Sequence, residues 1–277
     1  KDRVKRLGQE NNGGQIELEE AKKHIFSGIQ PTGMPTLGNY IGAVRNWPLV
    51  SELGFGIFSV VDMHAITVRN TPADLRARTL STLAVVLASG VDPEKNLVFI
   101  QSHVSAHAEL AWILNCYTMY GELGRMTQFK DKSKQHADNI NAGLFTYPTL
   151  MAADILLYNT DLVPVGVDQK QHLELARNIA IRFNGIYGDV FKVPEGHIPS
   201  VGAKVMSLSQ PDKKMSKSDP NPKSYISIVE GRDSIIKKFK SAVTDSDNKI
   251  EFSENKPGIS NLLTIYSVMT GCTVEQA

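Results

Sequence analysis

The sequence has 277 residues, and its 30 basic and 29 acidic side chains leave a net charge of +1. Hydrophobic residues make up 42% and charged residues 21%, a composition that excludes a mostly disordered or collagen-like chain and suits one or two packed domains. If the protein handles nucleic acid, its positive charge must be gathered locally.

The first half of the chain alternates strands and helices. Residues 1–23 are charged and contain Gly-Gly, which is typical of a flexible tail or a short appended helix. From His24 the order is strand (HIFSGIQ), turn (PTGMPTLGN) and helix (YIGAVRNW). The order recurs in the strand FGIFSVVDMHAI, a helix capped by Thr71 and ended at Gly90, and the strand NLVFIQS. This alternation predicts a doubly wound parallel α/β sheet with ligands at the carboxyl ends of its strands.

The second half resumes the alternation after a polar segment. AHAELAWILNCYTMYGELGRM predicts one or two helices, and a polar, exposed insertion follows it. TYPTLMAADILLYN predicts a helix, DLVPVGVD a strand and loop, and QKQHLELARNIAIRFNGIYG another helix. A Lys-, Ser-, Asp- and Pro-rich loop then precedes a helical segment from about Ser234. Thr273 and Gln276 have the spacing of a capping box, so we expect a helix that is cut short and a natural chain that continues.

The two cysteines, Cys116 and Cys272, have neither CxxC spacing nor a nearby His cluster. We therefore expect no disulfide framework and no metal site, but two buried thiols in a reducing cytoplasm. No apolar run approaches the roughly 20 residues needed to cross a bilayer, which predicts a cytoplasmic protein without membrane contact.

Two separated motifs have the chemistry of a phosphate site. The turn Gln30–Asn39 lies between strand and helix, where glycines let backbone N–H groups approach an anion, although such turns are often only tight connections. The run Lys214–Ser218, KMSKS, presents lysine tips that suit phosphate oxygens, although such runs are usually solvated surface. In an alternating fold the two motifs predict the halves of one nucleotide site.

These motifs resemble the class I aminoacyl-tRNA synthetases, and most closely their bacterial tryptophanyl family. Residues 36–39, TLGN, are similar to the first class signature, and KMSKS is identical to the second. Residues 26–33 (FSGIQPTG) and 147–172 (YPTLMAADILLYNTDLVPVGVDQKQH) are similar to the tryptophanyl family, and the resemblance runs from about Ile25 to the end.

The resemblance implies a Rossmann-like fold with a helical insertion and a C-terminal helical domain. The domains expected are a tail at 1–23, a catalytic domain at 24–205 with a connective insertion at about 105–143, a KMSKS loop at 206–225, and the start of an incomplete anticodon-binding domain at 226–277.

The implied activity is ATP-dependent ligation of tryptophan to tRNA. The tryptophan carboxylate would attack the α-phosphorus of ATP, giving tryptophanyl-adenylate and pyrophosphate, before transfer to the 3′-terminal adenosine of tRNA(Trp). No side-chain nucleophile is needed, because such chemistry depends on positioning and charge neutralisation. The resemblance also implies Mg²⁺ held by the ATP phosphates rather than by protein side chains, and a homodimer.

The resemblance assigns roles to individual residues. The catalytic, phosphate-stabilising set is Lys214, Lys217, Gln30 and Lys132. The set that binds ATP is Gln30, Thr36, Gly38, Asn39, Gly166, Asp168, Val205, Lys214, Met215, Ser216 and Lys217, with Asp168 on the ribose and adenine between Gly38 and the backbone near Val205 and Met215. The set that binds tryptophan is Phe26, Gly28, Val61, His64, Tyr147, Met151, Asp154, Val163, Val165 and Gln169, with Tyr147 and Gln169 on the ammonium group.

Asp154 is the most informative residue of the tryptophan set. It lies in the apolar run LMAADILLY, where an unpaired carboxylate would cost several kcal/mol. From the residues alone it could cap a helix or pair with a lysine. The resemblance makes the indole N–H of tryptophan its partner.

Several alternatives remain open at this point. Asp168 could simply cap a helix, His103 and His107 are expected near a helix start rather than on a metal, and Trp112, Ile113 and Tyr117 are expected in the core or a subunit interface.

Two departures from the family pattern stand beside these alternatives. Thr36 and Asn39 replace the histidines of the class signature, and Val167 stands where the family often has Glu.

Two other functions compete with the implied one. A tyrosine-specific relative is disfavoured by Asp154 and Met151, and a non-catalytic RNA-binding paralogue is disfavoured by the intact motifs.

Overall fold

The computed structural model describes residues 22–129, 140–166, 169–197, 204–217, 219–247 and 249–277. Nearly all of the expected tail 1–23 therefore lies outside the described residues, as do Lys132, Val167, Asp168 and Ser218.

The centre of the fold is a five-stranded parallel sheet with the order β3-β2-β1-β4-β5. Its strands are β1 His24–Ile29, β2 Phe55–Val60, β3 Leu97–Ile100, β4 Leu162–Pro164 and β5 Glu195–His197. Ile25 pairs with both Gly56 of β2 and Leu162 of β4. The winding direction reverses between β1 and β4, and in such sheets ligands bind at the carboxyl ends of strands beside this reversal. The predicted Rossmann-like sheet is confirmed.

Helices cover this sheet and continue beyond it. Their bounds are α1 Leu37–Asn39, a π-helical turn Tyr40–Val44, α2 Asn46–Val50, α3 Asp62–Ala65, α4 Pro72–Ala88, α5 Ala106–Asn115, α6 Tyr120–Gly124, α7 Ala142–Leu156, α8 Lys170–Tyr187, α9 Arg232–Lys240 and α10 Pro257–Thr270. Short 3₁₀ turns occupy Ser51–Leu53 and Gln101–His103.

The predicted start and end of α4 are confirmed, whereas at Thr273 the predicted capping hydrogen bonds form but residues 274–276 are a turn rather than a helix. The hydroxyl of Thr71 accepts the backbone N–H of Asp74 at 3.2 Å, and Gly90 follows α4 with a φ of +98°, which glycine adopts without strain. Near residue 277, the N–H of Thr273 donates to Gln276 Oε1 at 2.9 Å and the N–H of Gln276 donates to Thr273 Oγ1 at 3.3 Å, as the capping-box spacing predicts.

Two apolar clusters hold the parts of the fold that matter for the site. The larger joins strands β1 and β4 to helices α5, α7 and α8. The smaller contains Ile41, Val205, Met215, Ile226 and Ile265, so it joins the segment after the early glycine turn to the late lysine-rich loop and to α10. Burial of apolar side chains thus brings together motifs almost two hundred residues apart.

Three expectations are corrected by the structure. The expected buried thiols are wrong, because Cys116 is exposed and Cys272 is half-buried. Trp112 was expected in the core or in a subunit interface, and its 72% exposure contradicts the core while leaving the interface as a prediction. The strand Glu195–His197 was not predicted, because three residues reading EGH carry no strand pattern and become a strand only by pairing with β4.

Within the described ranges, no helix combines the length and apolarity that a bilayer-crossing segment would need.

Candidate active site

The early glycine turn and the late lysine loop meet at the carboxyl end of β1. The N–H of Leu37 donates to the carbonyl of Ile226 at 2.8 Å, and the N–H of Ile228 donates to the carbonyl of Pro35 at 3.2 Å. Within the loop, the N–H of Met215 donates to the carbonyl of Val205 at 3.0 Å. The backbone therefore places KMSKS against the turn that the sequence paired with it.

Lys217 makes the most direct contact between the two motifs. Its Nζ donates to Thr32 Oγ1 at 2.6 Å, and a β-carbon on Gly33, whose φ is +118°, would lie 3.4 Å from the same Nζ. Burial lowers the pKa of Lys217 to about 8, and the nearby charge of Arg78 acts in the same direction. Among the residues that the structure describes, no carboxylate forms an ion pair with Lys217, so this cation is poised to receive an anion.

Thr36 and Asn39 form a capping box at the start of α1. The N–H of Asn39 donates to Thr36 Oγ1 at 3.2 Å, and the N–H of Thr36 donates to Asn39 Oδ1 at 3.0 Å. Thr36 is buried while Asn39 is exposed. The hydroxyl of Thr36 is therefore engaged in capping, and Asn39 is the member of the pair that faces solvent.

The predicted adenine contacts lie together. A β-carbon on Gly38 would lie 3.4 Å from Met215 Cβ and 3.5 Å from Val205 Cβ. Ser216 and Lys214 are exposed beside them, and Gly166 is exposed after β4. Gln30 lies just after β1, and its Nε2 donates to the carbonyl of His64 at 2.9 Å. This hydrogen bond links a residue predicted to bind phosphate to a residue predicted to bind tryptophan.

Helix α7 builds the second half of the site. Tyr147, Met151 and Asp154 follow the spacing i, i+4, i+7, so they occupy one face of the helix. Tyr147 and Asp154 are buried and Met151 is half-buried against the main core. One helix therefore supplies three of the residues predicted to bind tryptophan.

Asp154 is buried, with 1% of the residue exposed, and its carboxylate has three donors. Gln101 Nε2 lies 2.7 Å from Oδ1, His107 Nδ1 lies 2.7 Å from the same oxygen, and His64 Nε2 lies 2.8 Å from Oδ2. Burial would raise the pKa of Asp154, but the hydrogen bonds and charge interactions with His107 and His64 outweigh it and lower the pKa below its ordinary value. The core thus contains an ionised carboxylate, neither capping a helix nor paired with a lysine.

Apolar residues predicted to bind tryptophan lie in the same core cluster as the helix neighbours of Asp154. Phe26, Val163 and Val165 are buried in the same cluster, and the ring of Phe26 stacks on that of Tyr158 with centroids 6.0 Å apart. A β-carbon on Gly28 would lie 2.9 Å from Val61 Cγ1, so a larger residue at that position would displace that side chain.

Tyr147 closes the pocket toward α8. Its hydroxyl lies 2.9 Å from His172 Nε2, its ring lies 6.2 Å from that of His64, and burial raises its pKa to about 12. It therefore remains a neutral phenol at physiological pH. Gln169 stands just before α8, half-buried, whereas the predicted helix cap Asp168 and the predicted catalytic Lys132 lie outside the described residues.

Sequence reasoning missed Gln101, His107 and Tyr158. His107 begins α5 as expected, but it is fully buried and contacts Asp154, 47 residues away along the chain. Gln101 stands directly after β3, so its position at the carboxyl end of a strand was the available signal.

Comparisons with known proteins agree with this geometry. The family described as tRNA synthetases class I (W and Y) matches residues 18–277. A tryptophan–tRNA ligase of Clostridium tetani is 56% identical over 262 residues, covering 95% of this chain and 78% of the relative.

Two solved structures are also similar. A tryptophanyl-tRNA synthetase from Mycoplasma pneumoniae superposes with a TM-score of 0.83 at 38% identity, covering 92% of this chain and 76% of that one. A tryptophanyl-tRNA synthetase from Campylobacter jejuni, complexed with ADP and tryptophan, gives 0.76 at 35% identity, covering 88% and 74%.

The sheet order, the meeting of TLGN with KMSKS and a family match over nearly the whole length lead to one conclusion: this chain belongs to the class I tRNA synthetases (W and Y).

Proposed function

We propose that the chain activates L-tryptophan with ATP to form tryptophanyl-adenylate and transfers the amino acid to tRNA(Trp). The observation that carries this proposal is Asp154, a buried carboxylate with a lowered pKa on a helix of the core that also contains Phe26 and Val163. The 56% identity to a tryptophan–tRNA ligase favours tryptophan over tyrosine as substrate.

Tryptophan would bind in the pocket lined by Phe26, Val61, Met151, Val163 and Val165, with Gly28 keeping its wall open. The indole N–H would donate to Asp154, beside His64. A pocket with a buried acceptor discriminates strongly against a substrate that lacks the matching donor, as the handling of phenylalanine by tyrosine-specific enzymes illustrates. Tyr147 and Gln169 would bind the ammonium group, which leaves the carboxylate pointing to the phosphate side.

ATP would bind between the early turn and the late loop. Lys217 and Lys214 would neutralise the charge that develops on the α-phosphate and the departing pyrophosphate, and Gln30 and Asn39 would position the phosphates. Gly38 would approach the adenine, near Val205 and Met215, and Gly166 and Ser216 would border the nucleotide. The roles of Asp168 on the ribose and of Lys132 on the phosphates remain predictions from the resemblance.

Mg²⁺ would enter with the nucleotide. Across the described parts of the chain, no group of three or more His, Cys, Asp or Glu side chains is placed to hold a metal ion. The resemblance implies an ion carried by the triphosphate, where it would supply charge neutralisation.

A homodimer working in the cytoplasm is part of the proposal. Large side chains on α5, α6 and α8 are exposed, among them Trp112 at 72%, Tyr120 at 80% and Tyr187 at 54%. We infer an interaction surface from exposed apolar side chains of this size. Sedimentation of the purified protein would distinguish a dimer from a monomer.

The direct test is amino-acid-dependent exchange between pyrophosphate and ATP in the full chain. We expect exchange with tryptophan and at least about 1,000-fold less with tyrosine or phenylalanine, in keeping with specificity based on a buried acceptor. Preference for tyrosine would contradict the substrate, and absence of exchange with every amino acid would contradict the enzymatic proposal.

A further inference from the structure

The two oxygens of the Asp154 carboxylate have different surroundings. Oδ1 accepts from both Gln101 Nε2 and His107 Nδ1, each at 2.7 Å, whereas Oδ2 has one donor among the described residues, His64 Nε2 at 2.8 Å. An ionised carboxylate offers about two acceptor sites on each oxygen. Oδ1 is therefore saturated, and Oδ2 retains capacity for another donor.

Burial separates the two oxygens in the same way. Gln101 and His107 are completely buried, while the side chain of His64 is 11% exposed. The least buried of the three donors therefore lies on Oδ2, so the side that His64 occupies is where a ligand would reach the remaining acceptor site.

His107 is held from its far side by Tyr158. The Tyr158 hydroxyl lies 2.8 Å from His107 Nε2, and the ring centroids of Phe99 and Tyr158 lie 5.7 Å and 5.5 Å from that of His107. Burial and then the charge of Asp154 raise the pKa of Tyr158 to about 12, so its hydroxyl keeps its proton. Tyr158 therefore holds the ring at Nε2, while Nδ1 faces the Asp154 carboxylate at 2.7 Å.

We propose that His107, oriented by Tyr158, is a positioning residue for tryptophan specificity. It fixes Oδ1 and thereby turns Oδ2 toward the position of the indole N–H. The inference rests on the proposed function, since it requires tryptophan in this pocket. Partners of this kind, one contact removed from the ligand, commonly decide the orientation of the group that touches it.

Two substitutions of His107 separate positioning from packing. His107→Asn places its amide near the former Nδ1 and can still donate to Asp154. His107→Gln places its amide near the former Nε2, so it can meet Tyr158 but no longer reaches Asp154. Both variants introduce a carboxamide. They differ in the contact that they keep, which is the one with Asp154 in His107→Asn and the one with Tyr158 in His107→Gln.

The readout is the preference for tryptophan over its benzothiophene analogue, in which sulfur replaces the indole N–H without changing the ring shape. Preference is the ratio of the two kcat/KM values in pyrophosphate exchange. We expect the wild type to prefer tryptophan by about 100-fold, His107→Gln to lose at least about tenfold of that ratio, and His107→Asn to stay within about threefold of the wild type.

Equal losses on both substrates in His107→Gln, with the ratio preserved, would show a merely structural role and overturn the inference. If that variant does not fold, Tyr158→Phe takes its place, and we expect its ratio to fall about threefold to tenfold; an unchanged ratio there would also overturn it. If the wild type exchanges with tryptophan but does not prefer it to the analogue, the proposed hydrogen bond from the indole N–H to Asp154 is refuted. A wild type without tryptophan-dependent exchange would instead refute the proposed function itself.

Discussion

The amino-acid side and the phosphate side of the site are built in opposite ways. Asp154 is buried in the main core, and residues from α3, α5 and the turn directly after β3 already hold its carboxylate. Lys217 lies on a loop, has a lowered pKa, and among the described residues donates to a hydroxyl of the turn opposite. If the proposed roles hold, the core pre-forms the contacts that select the amino acid, whereas the lysine that would neutralise phosphate charge has its partner supplied by the ligand.

The largest effect is expected from removing the carboxylate of Asp154. Asp154→Ala leaves three donors, two of them fully buried, without this acceptor, so we expect the KM for tryptophan to rise by about 100-fold or more while the KM for ATP changes less than about threefold. Steady-state pyrophosphate exchange measures both constants. Asp161→Ala is the matched control, since that carboxylate pairs with Lys192 outside the pocket and its loss should leave both KM values near those of the wild type. Equal rises for tryptophan and ATP would contradict the assigned role of Asp154.

The next largest effect is expected from removing the amine of Lys217. Lys217→Ala should slow adenylate formation by about 100-fold to 1,000-fold, because it removes a cation aimed at charge that develops during the reaction. Tryptophan affinity, measured by quenched fluorescence at equilibrium, should stay unchanged. Lys213→Ala, two residues before Met215 and exposed, should have less than about a twofold effect on the same single-turnover rate. A loss of tryptophan affinity in Lys217→Ala would mean that the residues proposed to bind tryptophan depend on the loop that carries Lys217.

A smaller effect is expected on acid stability. Because the folded pKa of Asp154 lies below its unfolded value of about 3.9, its ionised form contributes stability that is fully present above pH 3.9 and lost as the pH falls through the folded pKa. Urea unfolding between pH 5 and pH 2.5 should therefore show a steeper loss for the wild type than for Asp154→Asn, which cannot ionise at this position. Parallel curves would show that His64 and His107 do not favour the charged carboxylate.

The smallest expected signal is a proton. With a pKa of about 8, Lys217 is about half protonated at pH 8 in the free protein, and a bound anion raises that pKa. ATP binding at pH 8 should therefore take up about half a proton per site, seen by calorimetry in two buffers of different ionisation enthalpy. Lys217→Arg should abolish the uptake, since arginine stays charged. The same uptake in that variant would assign the proton to another group.

Local patterns were enough to predict the framework of the fold. Strands β1 and β2 read as apolar runs bounded by turns, and Thr71 and Gly90 marked the ends of α4. Asp154 attracted attention because a carboxylate within an apolar run requires a partner. The resemblance of TLGN and KMSKS to the two class signatures then predicted the phosphate-binding residues without any knowledge of tertiary contacts.

What could not be predicted depends on contacts between distant elements. His107 has no local sign of function, because its partners Asp154 and Tyr158 lie 47 and 51 residues away. The strand β5 exists only because Val163 and its neighbours offer an edge to Glu195–His197. The burial of the cysteines was predicted wrongly, because the burial of a small apolar residue depends on which helix face meets the core. Cys116 follows the last residue of α5 and is exposed.

The spacing of Tyr147, Met151 and Asp154 on α7 limits how this pocket can change. Each residue of an α-helix turns about 100° from the one before it. A single insertion or deletion between positions 147 and 154 would therefore swing the phenol away from the acid by more than a quarter of a turn, and no shift of the helix as a whole could restore both. Altered substrate preference must accordingly arise by exchange of side chains at constant length within these eight residues.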